Sequence, residues 1–170
     1  MDLNLKDKVV VITGGAGGIG FAMARGFAKE GAKVAICDID AVKLQEAEDK
    51  FQAESRALYT EVVDVSVPQQ LNDLADHVVE ALGGLDIWIN NAGILCPTGF
   101  FDISEALWDK VFDINVKHVF FGCQAAARHM KKTGGVILNT CSSAYFMPAS
   151  MGIHYSASKS ISQISLSYRP

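Results

Sequence analysis

A glycine-rich turn between a strand-like segment and a helix-like segment is the feature that most constrains the fold. The β-branched run KVVVIT, residues 8–13, ends at the glycine cluster TGGAGGIG, residues 13–20. Residues 19–30 then place apolar side chains at helical spacing. A glycine turn in this setting is typical of a phosphate-binding loop, in which backbone amides at a helix N-terminus face the ligand. The alternative, a flexible turn without a ligand, is disfavoured by the strand before it and the helix after it.

Three glycines of this loop and the first helical residue are predicted to bind a dinucleotide. Gly14 would permit the sharp turn after the strand, Gly18 would let the backbone approach a pyrophosphate, and Gly20 would allow close packing of the helix on the sheet. Ile19 lies at the helix N-terminus, where unpaired amides and the positive end of the helix dipole would meet the phosphates.

Strand-like and helix-like segments alternate along the rest of the chain. The further predicted strands span residues 33–38, 57–63, 85–89 and 136–140, and the further predicted helices span 42–51, 71–82, 105–132 and the stretch from 155 onwards. The stretch 105–132 is predicted to hold a short helix followed by a longer one. Three successive strand-helix cycles predict a parallel sheet with right-handed crossovers. Several strands are apolar on both faces, so helices should cover both sides of a doubly wound α/β sheet.

Length and composition limit the possible partners. With 170 residues and 49% hydrophobic content, we expect residues 1–170 to form one domain with a substantial core. The formal charge of -4 gives no reason to expect a nucleic acid or an anionic membrane as partner. The N-terminus lacks a signal-peptide pattern, and no apolar run approaches bilayer length.

Cysteine and histidine spacing gives no indication of a metal site. The four cysteines form no CxxC pair and suit reduced core thiols, which favours a reducing cytoplasm: Cys37, Cys96, Cys123 and Cys141. His118, His129 and His154 lack zinc-site spacing, and no GxSxG nucleophile motif occurs. We expect these histidines to be surface or packing residues, with His154 close enough to Tyr155 to border a substrate.

An aspartate at the end of the second predicted strand indicates which dinucleotide binds. Asp38 follows the glycine loop by about 20 residues, where a carboxylate can accept hydrogen bonds from a ribose 2′-hydroxyl. The same charge would repel a 2′-phosphate, and neither Gly17 nor Ile39 supplies a cation to hold one, so NAD is favoured over NADP. Asp40 is the weaker alternative, because an N-cap of the next helix explains it better.

Tyr155 and Lys159, in the run YSASK, place a phenol and an ammonium one helical turn apart. Side chains at i and i+4 share a helix face, and a lysine cation at that distance favours the phenolate form of a tyrosine. The pair therefore suits general acid and base chemistry. A chance pairing on a solvated helix is the alternative explanation.

The chain contains three motifs in order: TGxxxGxG, NNAG at residues 90–93, and YxxxK. In their order and spacing the chain resembles the short-chain dehydrogenase/reductase family over essentially all 170 residues. The resemblance implies a Rossmann-type fold and hydride transfer between a nicotinamide cofactor and an alcohol or carbonyl substrate. It also implies a homo-oligomer, because the last two helices form the usual dimer interface in the family. The spacing TGxxxGxG argues against a related epimerase or dehydratase, which would carry TGxxGxxG.

Further site residues follow from the resemblance alone. It implies that Asn91, Ala92 and Gly93 of the NNAG element line the cofactor site and that Asp64 and Val65 lie near the adenine ring. For Asp64, an ordinary N-cap of the next helix is the rival interpretation.

The resemblance also completes the catalytic set. Asn115 matches an asparagine at a helix irregularity that helps hold a proton-relay water, with a kink or a satisfied core amide as the alternative. Ser142 matches the serine that hydrogen-bonds the reacting oxygen, and its neighbour Ser143 is the fallback. Lys159 would hydrogen-bond the nicotinamide ribose, beside Tyr155 as the proton donor and acceptor.

The sequence departs from the family after the YxxxK helix, where relatives continue with two further strands and a substrate-binding segment. We therefore expect the strand 136–140 to be an uncovered sheet edge. A catalytically silent cofactor-binding or interaction module is the alternative to an active dehydrogenase. Phe146, Met147, Met151 and Ile153 suggest a partly apolar pocket wall, although core packing would explain them as well.

Overall fold

A five-stranded parallel sheet forms the centre of the computed structural model, which describes residues 3–146 and 152–161. Its strands are β1 (Val9–Thr13), β2 (Lys33–Asp38), β3 (Tyr59–Val62), β4 (Ile87–Asn90) and β5 (Val136–Asn139). They are arranged in the order β3-β2-β1-β4-β5, so the chain crosses back over the sheet after β3 and pairs β4 with β1. This order confirms the predicted Rossmann-type, doubly wound α/β fold.

Helices alternate with the strands as the sequence pattern predicts. They are α1 (Gly18–Lys29), α2 (Ala41–Ala53), α3 (Pro68–Leu82), α4 (Glu105–Phe112), α5 (His118–Met130) and α6 (Ile153–Ile161). The predicted short helix followed by a longer one is α4 followed by α5, and a π-helical segment, Asp113–Lys117, joins them. A short 3₁₀ turn, Ser143–Tyr145, lies between β5 and α6.

The start of α2 confirms the N-cap interpretation of Asp40. Its Oδ1 atom accepts hydrogen bonds from the backbone N–H groups of Val42 (3.1 Å) and Lys43 (3.2 Å). These two amides belong to the first helical turn, where no backbone carbonyl can reach them. The carboxylate therefore serves the helix rather than an adjacent ligand.

The N-cap interpretation of Asp64 is wrong. Helix α3 begins at Pro68, which suits the first helical position because its missing N–H needs no partner there, and Val67 is the N-cap. The Oδ1 atom of Asp64 instead accepts from both the backbone N–H (2.9 Å) and the hydroxyl (2.7 Å) of Ser66. Asp64 thus shapes the turn after β3, ahead of the helix.

The hydrophobic core lies in two layers, one on each face of the sheet. Val9 and Val11 of β1 pack in a cluster with apolar residues of α3 and α5. Val10 and Ile12, on the other face, pack in a second cluster with residues of α1 and α2. All four side chains are at most 3% exposed. Burial on both faces explains why the sequence of β1 is a continuous apolar run.

Strand β5 forms an edge of the described sheet, where Val136 is 51% and Leu138 47% exposed. This confirms the expected uncovered edge within the described residues. Cys37 and Cys123 are buried free thiols as expected, whereas Cys141, just after β5, is exposed. The predicted contributions of Met147 and Met151 to a pocket wall fall outside the described residues.

Candidate active site

A groove of about 660 Å³ lies at the carboxyl ends of the central strands. The strand order reverses between β1 and β4, and ligands of doubly wound sheets bind at such a switch point. Most residues predicted to bind the cofactor line it: Gly14, Gly18, Ile19, Asp38, Asp64, Val65, Asn91, Ala92 and Gly93. The sequence interpretation did not include six others: Gly17, Ile39, Lys43, Val63, Ile94 and Ile114. Gly20, Tyr155 and Lys159 are outside this lining.

Gly14 and Gly20 are among the loop positions that require glycine for steric reasons. Gly14 adopts φ +62°, and a Cβ there would lie 2.8 Å from the Cα atom of Ala92. A Cβ on Gly20 would lie 2.2 Å from the carbonyl oxygen of Gly14. The close approach at Gly20 is therefore to the backbone of the loop, whereas the sequence analysis expected it to be to the sheet. Helix α1 starts directly against the loop, and its N-cap, Gly17, provides no side-chain cap.

The carboxylate of Asp38 is held in place by backbone amides on two sides. Its Oδ2 atom accepts from the N–H of Ala16 in the glycine loop (3.4 Å), and its Oδ1 atom accepts from the N–H of Asp40 (3.3 Å). Asp38 thus connects the end of β2 to the glycine loop and lines the groove. An oriented carboxylate at this point can accept hydrogen bonds from a diol.

Lys43 brings a cation to the same end of the groove. It lies in the first turn of α2, and its Nζ atom is 3.0 Å from the Oδ2 atom of Asp40. Its side chain is 60% exposed, and the hydrogen bond to Asp40 raises its pKa. The sequence argument considered cations only in the loop and beside Asp38, and so it missed a lysine that the next helix turns back toward the groove.

Asn91 joins the ends of β1 and β4 beneath the groove. Its Nδ2 atom donates to the carbonyl oxygens of Thr13 and Gly14, both at 3.1 Å. In return, the hydroxyl oxygen of Thr13 accepts from the N–H groups of Asn91 (3.0 Å) and Ala92 (3.1 Å). These reciprocal bonds fix the NNAG element against the glycine loop, so both loops form one rigid wall.

His118 is a buried member of this polar network. Of the two expected roles, surface or packing, the structure confirms packing: His118 is fully buried and hydrogen-bonded through both ring nitrogens. Its Nδ1 atom lies 2.9 Å from the carbonyl oxygen of Ile114, and its Nε2 atom lies 3.0 Å from the hydroxyl of Thr13. Burial lowers the pKa of His118 to about 4. The ring is therefore neutral at pH 7.

Asn115 lies in the π-helical segment with its side chain fully buried. Its Oδ1 atom accepts from the N–H of Ile94 (2.8 Å), and its Nδ2 atom donates to the carbonyl of Ile94 (3.0 Å) and to Ser158 Oγ (3.0 Å). The structure confirms the expected helix irregularity at Asn115. It also confirms the alternative, a core amide whose polar atoms are hydrogen-bonded. The side chain connects the loop after β4 to α6, and a role in proton relay stays a prediction.

Lys159 reaches from α6 to the end of β5. Its Nζ atom donates to the carbonyl oxygen of Thr140 (3.2 Å), and the residue is only 6% exposed. Burial lowers its pKa, and the nearby Cys141 partly offsets that effect. A Cβ on Gly93 would lie 3.4 Å from this Nζ atom. The ammonium therefore lies close to Gly93, which lines the groove.

Tyr155 and Ser142, the other two predicted catalytic residues beside Lys159 and Asn115, lie on different elements. Tyr155 is half-buried in α6, one helical turn before Lys159. Ser142 follows β5, and its Oγ atom accepts from the N–H of Ala144 (3.2 Å) as the cap of the 3₁₀ turn that includes Ser143. That bond leaves the hydroxyl proton of Ser142 available for donation. Ser142 and Tyr155 share no hydrogen bond within the described residues.

His154 is fully buried beside Tyr155, so within the described residues it does not form an exposed border. Neither of its ring nitrogens has a hydrogen-bond partner there. A Cβ on Gly152 would lie 2.5 Å from its Cε1 atom, which shows how tightly the ring is packed. His154 thus fills space at the start of α6.

Two kinds of feature are absent from the described part of the chain. Residues 3–146 and 152–161 contain no group of three or more histidine, cysteine, aspartate or glutamate side chains that could hold a metal ion. None of the helices in these ranges is both long and apolar enough to cross a membrane.

The chain is similar in sequence to characterised dehydrogenases. A family model described as short chain dehydrogenase matches residues 8–164. The chain is 39% identical over 168 residues to a 3alpha-hydroxysteroid dehydrogenase of Mediterraneibacter gnavus, covering 94% of this chain and 65% of that protein. It is 36% identical to a galactitol 2-dehydrogenase of Agrobacterium fabrum, and the match covers 92% of this chain and 61% of that protein. The chain therefore spans about three fifths of the length of these curated relatives.

Solved structures show the same likeness. A short chain dehydrogenase from Mycobacterium smegmatis superposes with a TM-score of 0.89 at 33% identity, covering 93% of this chain and 68% of the other. A structure described as gox2181 superposes with a TM-score of 0.89 at 29% identity, and the match covers 95% of this chain and 65% of the other.

Proposed function

The chain belongs to the short-chain dehydrogenase family, and we propose that it transfers a hydride between NAD(H) and an alcohol or carbonyl substrate. The relatives are named for a hydroxysteroid and for a sugar alcohol. Those substrates share a hydroxyl-bearing carbon and little else. We therefore propose the reaction type without choosing one alcohol.

The observation that carries this proposal is the continuity between the groove and α6. Asp38 at the end of β2 and Gly93 after β4 both line the groove, and these two strands flank β1 on opposite sides. Gly93 is so close to Lys159 that a Cβ there would meet its Nζ atom at 3.4 Å. Tyr155 precedes Lys159 by one turn of the same helix. A ligand extended along the groove from Asp38 would end beside the proposed acid and base.

The residues that line the groove fit a dinucleotide. Gly14 and Gly18 both line the groove, and backbone approach is open at Gly18, where a Cβ would meet nothing within 4 Å. The first turn of α1 offers amides and a positive dipole end to phosphates. The Asp38 carboxylate suits a ribose diol. NAD(H), when bound, would supply or accept the hydride. The negative charge of Asp38 supports NAD over NADP.

The catalytic residues would move one proton and orient one oxygen. For carbonyl reduction, the phenol of Tyr155 would donate its proton to the substrate oxygen, and for alcohol oxidation the phenolate would accept it. The hydroxyl of Ser142 would donate a hydrogen bond to the same oxygen. The ammonium of Lys159 would lie beside Tyr155 and Ser142. There it would favour the phenolate of Tyr155 and hydrogen-bond a ribose of the cofactor. Asn115 would position Ile94 and α6 around these groups and contribute to proton reloading.

Binding and turnover measurements test the proposal. Titration of the purified chain with NADH, followed by fluorescence, should show saturable binding, and a panel of hydroxysteroids, sugar alcohols and simple secondary alcohols should show NAD-dependent oxidation. NADH binding without turnover of any alcohol would favour the alternative of a silent cofactor-binding module. Failure to bind either NADH or NADPH would contradict the proposal.

Assembly and location are two further parts of the same proposal. We expect a homo-oligomer that uses the exposed face of α5, where Phe120 is 51% exposed. Light scattering would test this. The four free cysteines suit a reducing cytoplasm.

A further inference from the structure

A second cavity, of about 630 Å³, lies at the edge of the sheet opposite to the cofactor groove. It is formed where β2 and β3 begin and where α1 and α3 end, whereas the groove lies at the carboxyl ends of the strands. Most of its lining side chains are apolar, among them Val34, Leu58 and Leu82. A volume of this size with a mainly apolar lining is typical of sites for small molecules. Among the described residues, none lines both cavities.

The charged side chains in the lining of this second cavity are both cations. They are Lys33 and Arg56, as far as the described residues go. The Nη1 atom of Arg56 lies 2.5 Å from the Oε2 atom of Glu54, and the same carboxylate also pairs with Arg25. One carboxylate is therefore shared by two guanidinium groups, and Lys33 adds a third cation. Positive charge exceeds negative charge in this group of side chains, although the chain as a whole has a formal charge of -4.

Lys33 covers the end of α3. Its Nζ atom donates to the carbonyl oxygen of Leu82 (3.0 Å), which is the last residue of that helix. Carbonyl groups in the last turn of a helix lack partners within the helix and carry the negative end of its dipole. An ammonium has three N–H donors, and the bond to Leu82 uses one of them. The end of α3 at this cavity is therefore covered by a cation that has donors left for a ligand.

Tyr59 contributes an aromatic ring to the same lining. Its hydroxyl donates to the Oε2 atom of Glu61 (2.8 Å), so the hydrogen-bonding capacity of the phenol proton is already used. Glu61 itself is not one of the lining residues. A ligand in the cavity would therefore meet the ring of Tyr59 as an apolar surface.

We propose that this second cavity is a binding site for a compact amphipathic carboxylate. The apolar body of the ligand would pack against Leu58 and Tyr59, and its carboxylate would meet Lys33 and Arg56, since both cations form charge-assisted hydrogen bonds with carboxylates. An inorganic anion would leave the apolar wall uncovered, and an uncharged apolar molecule would leave both cations unused. The proposal goes beyond the proposed hydride transfer and does not depend on it, because the two sites are separate.

The test uses 2-naphthoate as the probe and 2-naphthalenemethanol as its uncharged counterpart, with calorimetry on five forms of the full chain. The forms are the wild type, Lys33→Gln, Arg56→Gln, Ala81→Phe and Lys110→Gln. Ala81 lines the cavity at an exposed position near the end of α3, so a phenyl ring there would occupy space in the cavity without entering the core. Lys110 is the matched control, because it is an exposed lysine of α4 that lines neither cavity.

The wild type should bind one molecule of 2-naphthoate, and the uncharged alcohol about tenfold more weakly. Lys33→Gln and Arg56→Gln should each weaken 2-naphthoate binding roughly fivefold, as expected for exposed ion pairs. Ala81→Phe should abolish most of the binding, whereas Lys110→Gln should leave it unchanged.

Four results would overturn the proposal. They are no saturable binding of 2-naphthoate at millimolar concentrations, equal affinity for the two probes, an equal loss of affinity in Lys110→Gln, and undiminished binding in Ala81→Phe. The last result would mean that 2-naphthoate binds elsewhere, for example in the cofactor groove. If Ala81→Phe does not fold, the two glutamine variants at Lys33 and Arg56 still decide, because a site elsewhere would not respond to both.

Discussion

The Nε2 atom of His118 lies 3.0 Å from the hydroxyl oxygen of Thr13, and this contact joins the π-helical region to the cofactor loop. With the Nδ1 proton donated to the carbonyl of Ile114, Nε2 is left as the acceptor for the Thr13 proton. The same Thr13 oxygen accepts the N–H groups of Asn91 and Ala92. A neutral imidazole therefore joins the start of α5 to the ends of β1 and β4 at the proposed active site.

The stability of the protein should depend on pH through His118. Burial lowers its pKa to about 4 in the folded state, whereas the unfolded side chain titrates near 6.5. Between these values the unfolded chain binds the additional proton, so the free energy of unfolding should fall by about 3 kcal/mol as the pH falls from 6.5 to 4. Urea denaturation at a series of pH values would measure this slope.

Substitution of His118 separates its contribution from that of other groups. His118→Asn should lower the free energy of unfolding at pH 7 by roughly 1–3 kcal/mol, because the Thr13 hydroxyl loses a buried acceptor. The variant should also lose most of the slope between pH 4 and 6.5. His77→Gln, an exposed histidine of α3, is the control and should retain it. An unchanged slope in His118→Asn would contradict this assignment.

Gly122→Ala should destabilise the protein by a steric mechanism. A Cβ at Gly122 would lie 2.2 Å from the Oδ1 atom of Asn90, which accepts a hydrogen bond from Trp88 Nε1 (2.7 Å) in a buried network. We expect a loss of about 1–3 kcal/mol in the free energy of unfolding. Gly26→Ala is the matched control: it lies within α1, its Cβ would meet open space, and the change should stabilise by roughly 0.5–1 kcal/mol. Similar effects of the two substitutions would refute the steric argument.

Lys159→Met should stabilise the chain while removing its proposed function. The folded structure buries a side chain whose charged form is disfavoured there, as the lowered pKa shows. Methionine would keep the packing without that cost, so we expect the free energy of unfolding to rise. Chemical denaturation and NADH titration of the same sample would check both parts. Lys117→Met, at an exposed lysine, should change neither, and a destabilised Lys159→Met would contradict the argument.

The fold was largely predictable because strand and helix periods are local properties of the sequence. The run at β1 is apolar on both faces and is buried on both faces, which made a covered parallel sheet the natural prediction. Asp40 as a helix cap was predictable for the same reason, since capping depends on residues two or three positions away.

The parts of the site that sequence reasoning missed depend on contacts between distant elements. Lys43, in the first turn of α2, lines the groove together with Asp38 at the end of β2. In the sequence, His118 is one of three scattered histidines. Only the fold brings it into contact with Thr13, which is 105 positions away. No local pattern encodes these contacts.

The most direct test of the central claim is to measure NADH binding and hydride transfer in Tyr155→Phe. Tyr59→Phe, at a tyrosine of β3 bonded to Glu61, is the control. If Tyr155 is the acid and base, its variant should bind NADH as tightly as the wild type and lose on the order of 10²–10⁴-fold in turnover of any alcohol that the wild type oxidises. Near-normal turnover in Tyr155→Phe, with cofactor binding intact, would contradict the account.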